Sequence, residues 1–256
     1  MFGRKSTLLD PDIEAFHIQC WSWLLRNSGG MDAHLDTPLV LPTVDFYPAT
    51  TLEGHERGKH IFDLTAQHAG MSDWPVELYQ HEPEPEEMPM IGVVQNSGGA
   101  AGTYSNDGHG NIITYDPEQL DDPLALIATF AHELGHYLNG KFDEPPPGGA
   151  ELMEPATDVT AAFLGFGVFG LCTSFRHNQW QDSEFAGWST STLGYISESE
   201  WALNLAIFCG LRKMDIKSLK PFLKVYLFSE LNKATKYLEK NGIVAEILED
   251  GVGGTA

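Results

Sequence analysis

The sequence is short of cysteine and of basic residues, and each shortage excludes a class of protein. Its 3 cysteines include no CxxC pair, a pattern that favours a reducing compartment over a secreted disulfide framework. Lys and Arg number 15 against 36 Asp and Glu, which gives a formal net charge of -21. Because nucleic acids select basic surfaces, this balance excludes them as partners. We therefore expect a cytoplasmic protein with no nucleic-acid partner.

We expect neither a secretory signal at the start of this sequence nor a membrane span within it. Its first ten residues, MFGRKSTLLD, contain two basic residues but no apolar core. The most apolar stretch, residues 156–175, is long enough for a span but contains Asp158 and three glycines, which favours a buried core helix. With 42% hydrophobic residues over 256 positions, we expect one domain over residues 1–256 and no membrane partner.

The N-terminal part, residues 1–95, carries no recognised motif. Its patterns predict a helix from Asp10-Pro11 to Gly29-Gly30, an extended connection over 31–50, a helix over 56–69, and short strands over 76–79 and 90–94. The acidic, proline-rich sequence HEPEPEEMP separates the two strands. It cannot hold a helix or a central strand, so it is predicted to be a solvated loop.

The later part, residues 96–241, is predicted to contain the metal-site core and a mainly helical C-terminal half. Turn, cap and periodicity signals predict a hairpin around Asn106-Asp107-Gly108 with a second strand over 111–115, a helix from Asp121-Asp122-Pro123 to Gly140, an apolar helix over 151–171, an irregular stretch to Gly194, helices over 198–211 and 218–240, and a glycine-rich tail. Strands followed by helices predict an α+β fold with a small N-terminal mixed sheet.

His132-Glu133-Leu134-Gly135-His136 is an HExxH motif inside a predicted helix. Histidines four residues apart share one helix face, so both imidazoles can bind one cation while Glu133 reaches a bound water. The preceding residues are apolar, so this helix is expected to be buried. Two histidines and a glutamate would be costly there without an ion. The motif therefore predicts a zinc site in preference to a pair of structural histidines.

A third ligand is predicted at the start of the next helix, where Glu151, Glu154 and Asp158 follow at helical spacing. Pro155 is tolerated only in a first turn, which places Glu154 near the helix N-terminus, where the helix dipole favours an ionised carboxylate. We predict Glu154 as the third ligand and Asp158 as a hydrogen-bond acceptor for a ligand histidine. Glu151 is the alternative ligand, and the alternative for Asp158 is a charge at the helix N-terminus.

The spacing from HELGH to Glu154 and Asp158 resembles the HExxH…ExxxD pattern of gluzincin metallopeptidases. The segments ATDVTAAFLGFGVF and GYISESEWALNLAIF resemble poorly characterised bacterial HExxH proteins. The resemblance implies a zincin-like fold in which two helices face each other across one zinc ion. It implies His132, His136 and Glu154 as ligands, Glu133 as general base, and Asp158 as the residue that supports a ligand. The proline directly after Glu154 departs from the family pattern.

The implied function is zinc-dependent hydrolysis of a peptide or protein substrate. Zinc lowers the pKa of its bound water to ~7 and polarises the scissile carbonyl, and Glu133 takes the proton. Candidates for a group that stabilises the transition state are Tyr195, His177 and Arg176, each of which also has a structural interpretation. The strand over residues 111–115 resembles the edge strand on which such peptidases bind substrate, with an internal strand as the alternative.

A second class of function fits the same sequence. A non-catalytic interaction or regulatory protein with a structural zinc site would agree with the acidic composition and with the motif-free residues 1–95, but such a site would not require Glu133. His109 is expected to be exposed in a glycine-rich turn. Three glycines of the apolar stretch are expected to pack closely against the HExxH helix, namely Gly165, Gly167 and Gly170.

Overall fold

A computed structural model describes residues 7–81, 101–106, 110–181 and 196–252. Its α-helices are α1 (Pro11–Asn27), α2 (Gly30–Leu35), α3 (Gly54–His68), α4 (Pro123–Asn139), α5 (Met153–Ala161), α6 (Gly167–Gln181), α7 (Glu198–Leu211), α8 (Val225–Asn241) and α9 (Ile243–Val252). Its strands are β1 (Glu77–Gln80), β2 (Gly102–Asn106) and β3 (Asn111–Tyr115). A small sheet with a mainly helical remainder makes this an α+β protein, which confirms the predicted class.

The N-terminal helix begins and ends close to the predicted residues. The Asp10 side chain accepts a hydrogen bond from the Asp12 amide at 3.0 Å, and Pro11 occupies the first turn. Gly29 then takes a left-handed φ of 83°. The extended connection predicted for residues 31–50 is wrong over its first part, because the short helix α2 forms there. A glycine with positive φ can end one helix and lead directly into the next.

The three strands form one sheet in the order β1-β3-β2, in which β3 is parallel to β1 and antiparallel to β2. The predicted hairpin is confirmed, since Gly102 pairs with Tyr115 and Asn106 pairs with Asn111. Of the two interpretations of the strand over residues 111–115, the internal strand is correct and the edge strand is wrong, because β1 and β2 flank β3. The strand predicted over residues 90–94 and the acidic loop before it lie outside the described residues.

Helices α4 and α5 approach each other closely because Gly135 faces α5. A Cβ at Gly135 would lie 3.1 Å from the Thr157 Cγ2 atom and from the Thr157 carbonyl oxygen. A glycine in a helix interior costs about 1 kcal/mol relative to alanine, and here it permits the close contact of two backbones. A short 3-10 turn, Gly149–Leu152, precedes α5, which begins at Met153 and so places Glu154 in its first turn as predicted.

The apolar helix predicted over residues 151–171 is broken, not continuous. Gly165 has a φ of 96° within a wide turn, Ala162–Phe166, that separates α5 from α6. A Cβ at Gly165 would lie 2.0 Å from the Pro38 carbonyl oxygen. The Gly165 carbonyl also accepts a hydrogen bond from the Val40 amide at 2.9 Å. The break therefore lets the chain after α2 pack directly against the backbone between the two helices.

The prediction that the three glycines of this stretch pack against the HExxH helix is wrong. Gly165 contacts the segment after α2, and Gly167 and Gly170 contact α7 through Leu205 and Trp201. A Cβ at Gly170 would lie 2.3 Å from the Trp201 ring. These glycines are needed because α6 and α7 pack around a bulky indole ring.

The C-terminal half contains one more helix than predicted. A 3-10 segment, Ile216–Phe222, replaces the start of the helix predicted over residues 218–240, since Pro221 cannot donate a helical hydrogen bond. Gly242, with a φ of 69°, ends α8, and α9 follows where only a glycine-rich tail is predicted. Helix α9 packs against α1, so the last helix of the chain contacts the first one.

The described helices and the sheet share one hydrophobic core. One helical stretch, Gly149–Ser174, is long and apolar enough to cross a membrane, but 94% of its most apolar window is buried inside the protein. That burial is typical of a core helix, as predicted for this stretch. The three cysteines are free thiols, namely Cys20, Cys172 and Cys209.

Candidate metal centre

His132 and His136 lie one turn apart on α4, and their rings meet on one side of it. The helix begins where Asp122 accepts a hydrogen bond from the Ala125 amide at 3.4 Å and Pro123 occupies the first position. His132 is only 6% exposed, and the Nε2 atoms of the two rings are 3.1 Å apart. The spacing of four residues thus brings two imidazole nitrogens close enough to bind one ion.

Glu154 of α5 completes a triangle with the two histidines. Its Oε2 atom lies 3.2 Å from His132 Nε2 and 3.3 Å from His136 Nε2. The ligand atoms of these three residues lie within 4.8 Å of one another and could hold a metal ion. In a tetrahedral zinc site with ligand distances of about 2.0–2.1 Å, two ligand atoms are about 3.3 Å apart. The three spacings therefore fit such an ion with little movement of the side chains.

The second nitrogen of each ring contacts a hydrogen-bond acceptor on α5. His132 Nδ1 lies 2.9 Å from Oδ1 of Asp158, which is 2% exposed. His136 Nδ1 lies 3.2 Å from Thr157 Oγ1, and that hydroxyl donates its own proton to the Met153 carbonyl at 2.9 Å. The Thr157 oxygen must therefore accept a hydrogen bond from His136 Nδ1–H. In the neutral form of each ring, these partners place the proton on Nδ1 and leave a lone pair on Nε2.

This assignment favours a cation at the centre of the triangle. Two Nε2 lone pairs and one carboxylate oxygen converge at 3.1–3.3 Å, and such atoms repel one another unless positive charge lies between them. A proton can join two of the three atoms, whereas a divalent cation can bind all three at once. Two imidazoles and one carboxylate form a ligand set that catalytic zinc sites use, with a fourth position left for water or substrate.

The charges around the cluster also favour a cation. Burial opposes protonation of His132, but hydrogen bonds to Asp158 and Glu154 outweigh it and raise the pKa of His132 well above its usual value. Hydrogen bonds from His132 and His136 hold the pKa of Glu154 well below its usual value. Glu154 is therefore ionised at neutral pH, which is the form that a metal ligand requires. The carboxylates that attract a proton to His132 would equally attract a metal ion.

Glu133 lies beside the triangle but contributes no atom to it. Its side chain is 4% exposed and lines a small cavity of about 20 Å³ together with Thr129, His132 and Asp158. Burial and the charges of Glu154 and Asp158 raise the pKa of Glu133, although the two histidines act against them. A cavity of this size has room for about one water molecule. Glu133 thus lines a cavity large enough for one water molecule, next to the candidate ligand His132.

The edge strand β2 lies against the same side of α4. A Cβ at Gly102 would lie 3.2 Å from Glu133 Oε1 and 2.5 Å from Thr129 Cγ2, so a side chain there would force its neighbours to move. Two residues further along, the Tyr104 ring is parallel to the His136 ring, with 6.5 Å between centroids. Within the described residues β2 pairs only with β3. The other edge of β2, beside the cluster, is paired with no strand of the described part of the chain.

Asp158 also connects the cluster to the start of α7. Its Oδ2 atom accepts a hydrogen bond from the Ile196 amide at 3.0 Å, while its Oδ1 atom faces His132. Directly afterwards, Ser197 and Glu200 form a capping box that begins α7. One buried carboxylate therefore orients a candidate ligand and fixes the entry of the chain into another helix.

The structure brings together most of the site residues that the sequence predicts. His132, His136 and Glu154 converge, and Asp158 supports His132, whereas the alternative ligand Glu151 lies exposed in the 3-10 turn before α5. That these residues bind zinc stays a prediction. Four other candidates fall outside the described part of the chain, namely Tyr195, His109 and the side chains of Arg176 and His177.

Sequence reasoning misses two parts of the site, Thr157 and the Ile196 amide. Thr157 has a signal, because it follows Glu154 by three residues and so shares its helix face. Gly135 is a related signal, since a glycine within a buried helix indicates a close neighbour. The Ile196 amide has no signal, because any residue but proline supplies a backbone N–H.

Comparisons of this chain with protein families, with curated proteins and with solved structures find no match. Its function must therefore be inferred from the positions and the chemistry of its own side chains. Three observations support that inference, namely the triangle of candidate ligand atoms, the buried Glu133, and the position of β2 at the edge of the sheet among the described strands.

Proposed function

We propose that this protein is a zinc-dependent peptidase of the gluzincin type. His132, His136 and Glu154 bind the metal, and Glu133 acts as the general base. The observation that carries the proposal is the convergence of three ligand atoms at 3.1–3.3 Å, with the Nδ1 atoms of both rings occupied by acceptors on α5. Ligand histidines in zinc sites are typically held through their second nitrogen in this way.

Three protein ligands and an exposed side favour a catalytic zinc site over a structural one. Structural sites are closed by four protein ligands, whereas catalytic sites keep one position for water or substrate. Among the residues described, only His132, His136 and Glu154 contribute ligand atoms to the cluster. The Glu154 side chain is 49% exposed, so the fourth position is accessible from solvent.

Glu133 supplies the proton transfer that hydrolysis needs. When bound, zinc lowers the pKa of a water molecule to about 7 and polarises a substrate carbonyl. The Glu133 carboxylate accepts the water proton on an Oε atom and delivers it to the leaving amine nitrogen. Burial raises the pKa of Glu133, and this brings it closer to the operating pH, where a general base is most effective.

The position of β2 suits the binding of an extended peptide as substrate. A peptide strand paired to the outer edge of β2 would pass beside the cluster, because Gly102 lies against Glu133 and Tyr104 lies against His136. Gluzincins bind substrate on a strand that precedes the HExxH helix, and β2 also precedes this helix, which supports the same role for β2. The order of edge strand, HExxH helix and glutamate-bearing helix supports a zincin-like fold for this part of the chain.

The substitution Glu133→Gln separates catalysis from metal binding. Because Glu133 is no ligand, the variant should keep one equivalent of zinc and the wild-type melting temperature, while its cleavage of a broad peptide library falls at least ~10²-fold. Glu151→Gln is the matched control, since it makes the same change at an exposed position and should alter neither property. Elemental analysis measures the zinc, and mass spectrometry measures the cleavage.

Three results would contradict this proposal in different ways. Cleavage that survives Glu133→Gln would refute the assigned base. A zinc-loaded wild type that cleaves no peptide in the library would favour an interaction protein with a structural zinc site. A purified wild type that takes up no zinc would refute the metal site itself.

A further inference from the structure

A second cavity lies on another face of α4, away from the metal cluster. It has a volume of about 300 Å³ and opens between α3, the first turns of α4 and the chain that leads into α3. The buried residue Ile127 of α4 lines this cavity. It precedes His132 by five positions and so lies about 140° around the helix from it. The volume is at the lower end of the range of small-molecule sites.

One wall of the cavity is a stripe of α3 that carries two basic side chains. Arg57, His60 and Leu64 line it, and their spacing of three and four residues places them on one helix face. Within the described residues, neither the Arg57 guanidinium nor the His60 ring has a hydrogen bond or an ion pair. By contrast, Arg26 pairs with Glu144 at 3.6 Å. In a chain with 36 acidic residues against 15 basic ones, Arg57 is an available cation.

The opposite wall is held in place before any ligand arrives. Tyr47, which lines the cavity, shares a hydrogen bond of 3.1 Å with Thr65 of α3. The neighbouring Phe46 carbonyl lies 2.9 Å from His68 Nε2, also on α3. Both contacts fix the wall segment to the helix that carries Arg57. A preformed cavity binds a ligand without the cost of ordering a loop.

We propose that this cavity binds a carboxylate attached to an apolar body. The Arg57 guanidinium matches a carboxylate with two parallel N–H donors, while Ile61, Leu64 and Ile127 offer an apolar surface to the rest of the ligand. Among the described residues, the lining contains no Asp or Glu. One permanent positive charge suits a monoanion, and the net charge of -21 opposes a phosphate or another multiply charged anion. This proposal is independent of the metal site.

Two sources could supply such a ligand, namely the C-terminus of a peptide or a free aliphatic acid. The ¹⁵N-labelled full chain is titrated with N-acetyl-leucine, which represents a peptide C-terminus, and with hexanoate, which represents a free aliphatic acid. The compound that binds more tightly identifies the source. N-acetyl-leucinamide is the neutral control and should bind at least ~10-fold more weakly than N-acetyl-leucine. The amide signals of Tyr47, Ala49, Thr50 and of α3 should shift on binding. Because carboxylates also bind metal ions, each titration is made with zinc-loaded and with zinc-free protein.

Arg57→Gln should weaken the binding of the acid at least ~10-fold. The side chain is half-exposed and has no partner among the described residues, so this variant should fold like the wild type. Arg26→Gln removes an arginine elsewhere on the surface and should leave the binding unchanged. Equal affinity for acid and amide, undiminished binding by Arg57→Gln, signal shifts confined to the metal cluster, or no saturable binding of either acid would each overturn the proposal.

Discussion

Two buried imidazoles are held in opposite surroundings in this protein. His132 is 6% exposed and His34 is 1% exposed, so both are nearly removed from water. His132 contacts Asp158 and Glu154 through its two nitrogens. His34 instead stacks on Phe163, with 4.4 Å between ring centroids, and within the described residues neither of its nitrogens has a hydrogen-bond partner.

The consequence is that the two rings differ in their affinity for positive charge. Burial, with the charge of Arg212 adding to it, lowers the pKa of His34 to about 4. At His132 the same burial is outweighed by two carboxylates, and the pKa is raised. Burial alone therefore does not decide the charge of a histidine, because the partners of its nitrogens do. The carboxylate-rich environment suits a cation, and the aromatic environment excludes one.

The largest effect is expected when the imidazoles are removed one at a time. His132→Ala or His136→Ala should abolish stoichiometric zinc binding and lower the melting temperature, because metal that binds only the folded state stabilises it. His34→Phe should retain one equivalent of zinc. Elemental analysis after gel filtration gives the metal content. Full zinc retention by both alanine variants would exclude these rings as ligands.

Replacing Glu154, the candidate carboxylate ligand on α5, should weaken zinc binding almost as much as removing one of the two rings. Glu154→Gln should weaken zinc binding by more than the roughly 10- to 100-fold typical of residues that only support a ligand, because a neutral amide is a poor substitute for an ionised ligand. Glu151→Gln should leave the affinity unchanged. Competition with a chelating dye measures both constants. A larger loss in Glu151→Gln would reverse the assignment of the ligand.

Asp158→Asn tests the support of His132 without removing a ligand. The amide of asparagine can present a donor where His132 Nδ1 needs an acceptor, so the ring loses its preferred orientation and tautomer. We expect zinc affinity to fall roughly 10- to 100-fold. The same dye competition measures the change. An affinity equal to that of wild type would mean that the ring is oriented by its packing alone.

The smallest expected effect concerns His34 and depends on pH. The unfolded ring has a pKa of about 6.5, so between that value and about 4 only the unfolded state binds a proton. Stability is therefore lost as the pH falls through this window. His34→Phe removes the loss and should gain about 2 kcal/mol over wild type at pH 5, and less at pH 8. Urea unfolding at both pH values measures it. A gain that does not depend on pH would contradict a neutral His34.

Elements with local signals are predictable from this sequence. Helix α1 has Asp10 as its cap and Pro11 in its first turn, and α4 has the same pair in Asp122 and Pro123. In each helix the cap and the apolar period act within a few residues, so no distant contact is needed to fix the element.

Elements that depend on distant contacts are not predictable in this way. The central place of β3 follows from its parallel pairing with β1, to which no local pattern points. The break at Gly165 is fixed by the Pro38 carbonyl and the Val40 amide, which come from a distant part of the chain. Glycine content alone suggests close packing but does not name the partner.

The same distinction applies to the candidate site, where residues with a local sequence signal are predictable and those that depend on distant contacts are not. The two candidate ligand histidines are identified from their spacing, and Glu154 joins them as a candidate because Pro155 fixes the start of its helix. Thr157 could be added from helical geometry, since it lies one turn beyond Glu154. The role of the Ile196 amide could not be found, because a backbone donor is common to nearly every residue and only its position gives it a function.

The Ile196 amide donates a hydrogen bond to Asp158, so this backbone group outside the cluster can report on the state of the cluster. A buried amide exchanges its hydrogen with solvent only when its hydrogen bond opens. Because the other oxygen of Asp158 holds His132, any ion that immobilises this ring also restrains the carboxylate and slows exchange at Ile196. Zinc has a filled d shell and no colour of its own. The exchange rate of one backbone hydrogen can therefore report the occupancy of an otherwise silent metal.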